Sequence, residues 1–288
     1  MALFDFNFHS NAITSTTMST KKFYSTYRAL LLATSLVIGT AAHAADWSST
    51  DIQYRYGDDF NDNGGTGGQK IAKHLVQVQN SSGFSLGRTY FFLLMSKGDG
   101  ADNNSGDLYS EGQATLSLSK LTSRSLSLGP LKDIGVTAGF NYGARNSSFR
   151  PNARVGLLGP TFDFNVPGFT YFNVDVLAYR DAGSYEGFGG GRLCGRPSTT
   201  YQITPVWLMP FNIGGARFVF DGYTDVIGAH GTCSQQVLVE AQAKLDVGNF
   251  WGVPDKFYVG LELQYWRNKF GTRGVKETVP QLVAQWKF

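Results

Sequence analysis

The chain has 288 residues, of which 16% are charged, 14% aromatic and 42% hydrophobic, and its formal net charge is +3. The charged share is well below the roughly 25% of an ordinary soluble domain, while a mean hydropathy of −0.17 excludes a bundle of membrane helices. Few charges, many aromatics and 35 glycines suit strands with one apolar and one polar face.

The first segment reads as an export signal. Lys21, Lys22 and Arg28 precede the apolar run "ALLLATSLVIG", and Ala42–His43–Ala44 forms an A-x-A cleavage site. Met18 stands just ahead of this unit and is an alternative start. Residues 1–44 are expected to be removed, leaving 45–288 as the mature domain. The apolar run is short for a retained anchor, and no other stretch offers the roughly 18 apolar residues of a spanning helix. Cleavage takes the net charge close to neutral, which excludes the basic footprint of a nucleic-acid-polymer binder.

From Asp51 onward, alternation recurs between turn residues. Strands are predicted over about 50–57, 70–80, 84–97, 107–120, 130–143, 152–164, 168–180, 197–209, 215–227, 233–246, 255–267 and 278–288. The odd-numbered connections are long, polar and glycine-rich, as in "GDDFNDNGGTGGQ" and "RDAGSYEGFGGGRLCGRPS". The even ones, such as "NSSG" and "NVPG", are mostly shorter. Such sorting predicts an all-β fold: a 12-stranded antiparallel transmembrane barrel with short periplasmic turns and long extracellular loops. A barrel in hydrocarbon must close, because an open edge leaves backbone groups unpaired at several kcal/mol each. The expected location is therefore the outer membrane of a Gram-negative bacterium, in contact with its lipid and lipopolysaccharide.

The final strand, "QLVAQWKF", puts Leu282, Ala284, Trp286 and Phe288 on one side. It is predicted to pair with the first strand, with Phe288 at the periplasmic rim. Its form is similar to the C-terminal signal read by the barrel-insertion machinery, so that machinery and the periplasmic chaperones are expected partners. Aromatics near strand ends, among them Tyr54, Tyr56, Tyr142, Phe169, Trp207, Tyr265 and Trp286, suit two interfacial girdles.

If the apolar set faces lipid, the opposite set faces a lumen. That set holds Arg55, Glu111, Asp175, Arg217, Asp221, Asp225, Glu240, Lys244 and Glu262, with Gln113, Gln202, Gln242 and Gln264. It also holds Tyr171, Tyr179, Tyr223, Tyr258 and Trp266. A Lys or Arg on the lipid side at mid-depth would cost about 2–4 kcal/mol, which makes the inward assignment of the charges the firmer one. Strands 84–97 and 152–164 alternate too poorly to assign a face.

Other motifs give way to plain readings. Asp59, Asn61, Asn63 and Gly64 begin like a calcium loop, but Lys70 stands where the bidentate Glu belongs. A Gly-rich phosphate cradle is dismissed because the same loop lacks the G-x-x-x-x-G-K-[ST] order. No metal or cofactor is expected. Cys194 and Cys233 fall in two long loops on the same, oxidising side, and a disulfide between them is expected. Enzymatic chemistry, such as lipid hydrolysis, needs a nucleophile with an oriented base. The mature chain offers only His74, on the lipid-facing parity, and His230, a loop residue near Ser234, so no catalytic site is expected.

At Ser117 the chain reads "SLSKLTSRSLSLGPLK". This resembles the segment S-x-x-K-L-T-x-x-x-L-S-x-G-P-x-K of the Tsx/OmpK nucleoside-channel family. The matching positions are Ser117, Lys120, Leu121, Thr122, Leu126, Ser127, Gly129, Pro130 and Lys132. The order of strands and loops over 45–288 also fits that family, which implies a monomeric 12-stranded barrel passing nucleosides. By strand count the segment is a periplasmic turn, so it marks the family and not a binding site. With the inward face described above, it makes a small polar solute with an aromatic part the expected cargo. Tyr171, Tyr179, Tyr223, Tyr258 and Trp266 would stack on a base, and Asp175, Asp221, Asp225, Glu240 and Glu262 would take ribose hydroxyls. A general porin, a structural or adhesive barrel with a plugged lumen, a secreted soluble β-protein and, remotely, a lipid hydrolase remain alternatives.

Overall fold

The computed structural model describes residues 45–61, 70–98, 106–145, 150–182, 185–186, 192 and 194–288. The expected export segment and, in the first long loop, Asn63 and Gly64 lie outside them. The strands in chain order are β1 (Trp47–Asn61), β2 (Lys70–Phe84), β3 (Gly87–Gly98), β4 (Gly106–Ser117), β5 (Leu131–Arg145), β6 (Arg150–Pro151), β7 (Arg154–Phe164), β8 (Tyr171–Asp181), β9 (Tyr185–Glu186), β10 (Ser198–Ile213), β11 (Ala216–Ile227), β12 (Gln236–Asp246), β13 (Phe257–Arg267) and β14 (Lys276–Lys287). Twelve of them form one closed barrel, each antiparallel to its neighbours, and β6 pairs with β9 in a small ribbon outside it. The pairing of β1 with β14 closes the ring, with Ile52 opposite Trp286 and Tyr56 opposite Leu282.

The two rims differ as the loop lengths demand. Residues 85–86 and 214–215 are two-residue turns, and they share a rim with the start of β1 and the end of β14. The connections β1–β2, β3–β4, β8–β10 and β13–β14 turn at the opposite, long-loop rim. One predicted strand ends early. Residues 118–120 are not extended but begin a helical turn, Leu118–Thr122, because the Ser117 hydroxyl caps it by accepting from the Lys120 amide. The Ser117 hydroxyl in turn donates to Asp133 on the neighbouring strand. The segment that carries the family resemblance is therefore a capped turn at the tight-turn rim.

Alternation sets the faces, since successive side chains of a strand point to opposite sides. Leu261 is 59% exposed and Leu282 61%, while their neighbours Glu262 and Gln281 are each 1% exposed. The outward set is apolar around the ring, including Ile52, Val78, Phe91, Leu116, Phe140, Leu158, Val176 and Leu263. His74 is outward as expected, and its ring accepts or shares a proton with the Tyr54 hydroxyl at 2.6 Å. Every charged or amide residue assigned to the lumen from the sequence faces inward.

The two strands without a facing assignment now have one, and a reason for their poor alternation. In β3, Tyr90, Phe92 and Leu94 point inward; in β7, Val155 and Leu157 do. Both faces of these segments are apolar because the lumen is not polar throughout. Toward the long-loop rim it is packed with Phe60, Ile71, Leu75 and Val279 in one cluster and Val155, Leu157, Leu177 and Tyr179 in another.

Candidate functional site

A cavity of about 1210 Å³ occupies the other half of the barrel interior. It is lined at the tight-turn rim by Trp47, Lys132, Asp255 and Lys287, and at mid-barrel by Arg55, Glu111, Asp175, Gln202, Asp225 and Glu240. It lies slightly above the roughly 300–1,000 Å³ range of small-molecule sites.

Of the ten residues proposed from the sequence to meet a solute, seven line this cavity: Tyr171, Tyr223, Tyr258, Asp175, Asp221, Asp225 and Glu240. Three do not. Tyr179 is buried in the apolar cluster of the long-loop half, with its ring centroid 5.5 Å from that of His230. Trp266 packs edge-on against Phe270 at 4.6 Å near the long-loop rim. Glu262 is sealed behind Arg55. Parity placed all three inside the barrel, but parity carries no information about depth or packing. Sequence reasoning missed Tyr90, Arg88 and Asp163, which also line the cavity. Tyr90 and Arg88 belong to β3, and Asp163 to β7, the strands whose apolar inner residues hide the period of two.

A belt of hydrogen bonds fixes the inner end of the cavity. The hydroxyls of Thr115, Thr137 and Thr161 form a chain across β4, β5 and β7, with steps of 2.7 and 2.5 Å, and Thr161 donates to Asp175 on β8 at 2.6 Å. On the next strands Gln202 and Thr204 both donate to Asp225, at 3.0 and 2.6 Å. Arg55 reaches across from β1, donating from Nη1 to Glu262 at 2.5 Å and to Glu240 at 3.4 Å, and from Nη2 to Gln77 at 2.7 Å. Gln242 and Gln281 complete the Glu262 carboxylate. Lys244 donates to Asp221 at 2.9 Å, and Arg88 makes a two-pronged contact with Asp163 at 2.8 and 2.7 Å. With their partners fixed, these side chains present a rigid polar wall.

The long-loop half is held by buried ion pairs and a disulfide. Lys269 meets Glu277 at 2.5 Å and Lys73 meets Asp107 at 3.1 Å. Cys194 and Cys233 are bonded, as the sequence led one to expect. Asp181, Cys194 and His230 lie close together, but the Cys194 sulfur is committed to Cys233, which leaves one carboxylate and one imidazole, short of a metal donor set. At the ends of β1 and β2 that lead into the first long loop, Lys70 sits 3.5 Å from Asp59, an ammonium where a calcium loop would need a carboxylate.

His230 gives this half a pH dependence. Burial disfavours its charge, yet Asp181, 3.4 Å from Nε2, and the Gly228 carbonyl, 3.0 Å from Nδ1, outweigh that and raise its pKa above the ordinary imidazole value. A raised folded-state pKa stabilises fully below the unfolded value of about 6.5 and loses that contribution as pH rises through the folded value. The unfolding free energy is therefore expected to fall from pH 6 to pH 8 in the native chain. In His230→Gln that slope should flatten in urea titrations at the two pH values; an unchanged slope would show that Asp181 does not bind the charged ring.

No protein-family model matches the chain, and no curated protein matches it. Among solved structures it is similar to the β domain of the Bordetella autotransporter BrkA, at 11% identity over 84% of this chain and 99% of that one, with a TM-score of 0.37. The translocator domain of the autotransporter NalP from Neisseria meningitidis gives 12% identity, 95% and 100% coverage and a TM-score of 0.36. Salmonella typhi OmpF, solved in complex with daunomycin, gives 8% identity, 84% and 97% coverage and a TM-score of 0.37. At such scores these likenesses identify no relative. What the fold and site define directly is a closed 12-stranded barrel, apolar outside, with a polar and aromatic chamber open toward its tight-turn rim.

Proposed function

We propose that this barrel sits in the bacterial outer membrane and passes small polar solutes with an aromatic part, nucleosides first, as a monomer resembling the Tsx/OmpK channels. An apolar exterior on a closed sheet is what hydrocarbon requires. The observation that carries the solute class is the chamber wall, where Tyr90, Tyr171, Tyr223 and Tyr258 alternate with carboxylates and amides. A ring can stack on a base, at roughly 1–3 kcal/mol in open single-strand sites. Carboxylates and amides exchange hydrogen bonds with ribose hydroxyls. Contacts of this strength permit both entry and release.

Adenosine or thymidine should partly block ion current through the barrel reconstituted in planar bilayers, and a neutral sugar of similar size should not. Tyr223→Ala should weaken that block by about tenfold, the loss of one stacking contact. Equal block by nucleosides and sugar would reduce the protein to a general pore. A second reading, a structural barrel with a plugged lumen, is favoured by one feature: the apolar clusters that fill the long-loop half. It predicts no conductance at all.

A further inference from the structure

The inner end of the chamber is rich in acidic acceptors, and among the described residues its one cation, Arg55, keeps Nε without an acceptor. Glu111, Asp175, Asp225 and Glu240 line it, and Glu262 lies just behind. Arg55 serves Glu240 and Glu262. The nearest other cations are paired, Arg88 with Asp163, though its charge also reaches Asp175, and Lys244 with Asp221. Glu111, Asp175 and Asp225 have only neutral donors: a Tyr109 hydroxyl, the Thr161 hydroxyl with the Asn173 amide, and the Gln202 and Thr204 side chains.

Two further side chains show that a donor is missing. Asn141, the cross-strand partner of Glu111 on the inner face of β5, is 5% exposed, and its amide oxygen has no donor. Gln202, 1% exposed and lining the chamber, gives its amide nitrogen to Asp225 and Thr204, but its oxygen too has no donor. Buried acceptors without donors are rare and costly. Gln202 contacts Asp225 and Asn141 stands opposite Glu111 in the register, so a group that would satisfy them offers N–H donors and positive charge.

The geometry selects an organic cation over a bare ion. Among the described residues, the acidic side chains of the chamber do not bring three ligand atoms together as Asp181, Cys194 and His230 do. They are spread along a wall faced by aromatic rings. Tyr90 and Phe92 are 6.0 Å apart, and Phe92 and Tyr109 are 5.9 Å apart; Tyr223 lines the same chamber. Carboxylates alternating with ring faces are the chemistry that holds an ammonium or amidinium group on an organic body.

We infer that the inner end of the chamber is a binding site for the cationic head of an aromatic or alkyl amine, so that the barrel favours organic cations over neutral solutes of the same shape. This rests on the channel proposal only in that a solute must reach the chamber. It is tested with tyramine against tyrosol, two phenols of nearly equal size that differ in ammonium versus hydroxyl. Tyramine should block current through the reconstituted full-length barrel at a concentration at least about tenfold lower. Glu111→Gln with Asp225→Asn should abolish that preference, the block by tyramine falling to the level of the block by tyrosol in the same variant. The native barrel in a potassium chloride gradient should show a cation-selective reversal potential. Equal block by the two phenols, an unaltered preference in the double variant, or an anion-selective reversal potential would overturn the inference. If the double variant does not insert, Glu111→Gln alone must halve the preference or more. If the barrel carries no current, calorimetric titration of the detergent-solubilised native protein reads the same comparison, and equal affinities would overturn it. Nucleoside block is scored separately, so either idea can fail alone.

Discussion

Arg55→Met is expected to destabilise the barrel by about 3–5 kcal/mol, the cost of stranding buried charge when one partner of an ion pair is removed. Arg55 and Glu262 have side-chain exposures of 2% and 0%, and Glu240 is 19% exposed. The guanidinium joins β1 to β2 through Gln77, and reaches β12 and β13 through Glu240 and Glu262. It therefore pins the seam at which β14 meets β1 from inside. Lysine would not substitute, because one ammonium cannot hold Gln77 and Glu262 from two fixed nitrogens. The check is urea unfolding in lipid vesicles, with Arg55→Met/Glu240→Gln/Glu262→Gln as the decisive comparison. If desolvated charge is the cause, the triple variant should recover most of the loss, since a neutral wall leaves no charge unpaired. If it is as unstable as the single variant, the loss comes from packing around the methylene stem and the electrostatic account fails.

Arg55 also shows how far the sequence could be read. Its inward facing followed from the alternation of faces and the cost of a charge turned to lipid. The strand count, the sorting of loops between rims and the closing pair of β1 with β14 followed from the same period of two and the turn residues between. These are local properties, written along the chain. Depth and cross-barrel partners are not. Nothing near Trp266 says that it packs on Phe270, and nothing near Tyr179 says that it sits in an apolar cluster while Tyr223, on the same parity, lines the chamber. Glu262 was read as a lumen carboxylate, but its partner lies 207 positions away in the sequence, so its sealing behind Arg55 could not be anticipated. The ambiguous strands were ambiguous for a physical reason. β3 and β7 cross from a wet chamber into a packed, apolar upper half, and a segment apolar on both faces carries no alternation.

Removing the Cys194–Cys233 bridge is expected to cost about 2–4 kcal/mol, chiefly by freeing the unfolded chain. The two cysteines are 39 positions apart, a loop of intermediate length on that scale. Both are buried, and the bridge ties the β8–β10 connection to the β11–β12 connection, with the β13–β14 connection packed beside it. The Thr232 amide donates to the Cys194 carbonyl at 3.1 Å, and the Ser234 amide to the Gly271 carbonyl at 2.9 Å. Two glycines permit this approach. A Cβ on Gly231 would stand 1.9 Å from the Cys194 carbonyl oxygen, and one on Gly271 would stand 2.3 Å from the Cys233 sulfur, and both residues have positive φ. The bridge thus closes over His230 and Asp181, the pair whose attraction sets the pH dependence of this rim. Cys194→Ser with Cys233→Ser should lower the urea midpoint under oxidising conditions. Reductant should lower the native midpoint by the same amount and leave the variant unmoved. Amide exchange should rise at Thr232, Cys233 and Ser234 while the Thr137 and Thr161 amides at mid-barrel keep their protection. If the midpoint and these loop amides are unaffected, the three connections are held by their buried ion pairs and hydrogen bonds alone, and the disulfide adds nothing to them.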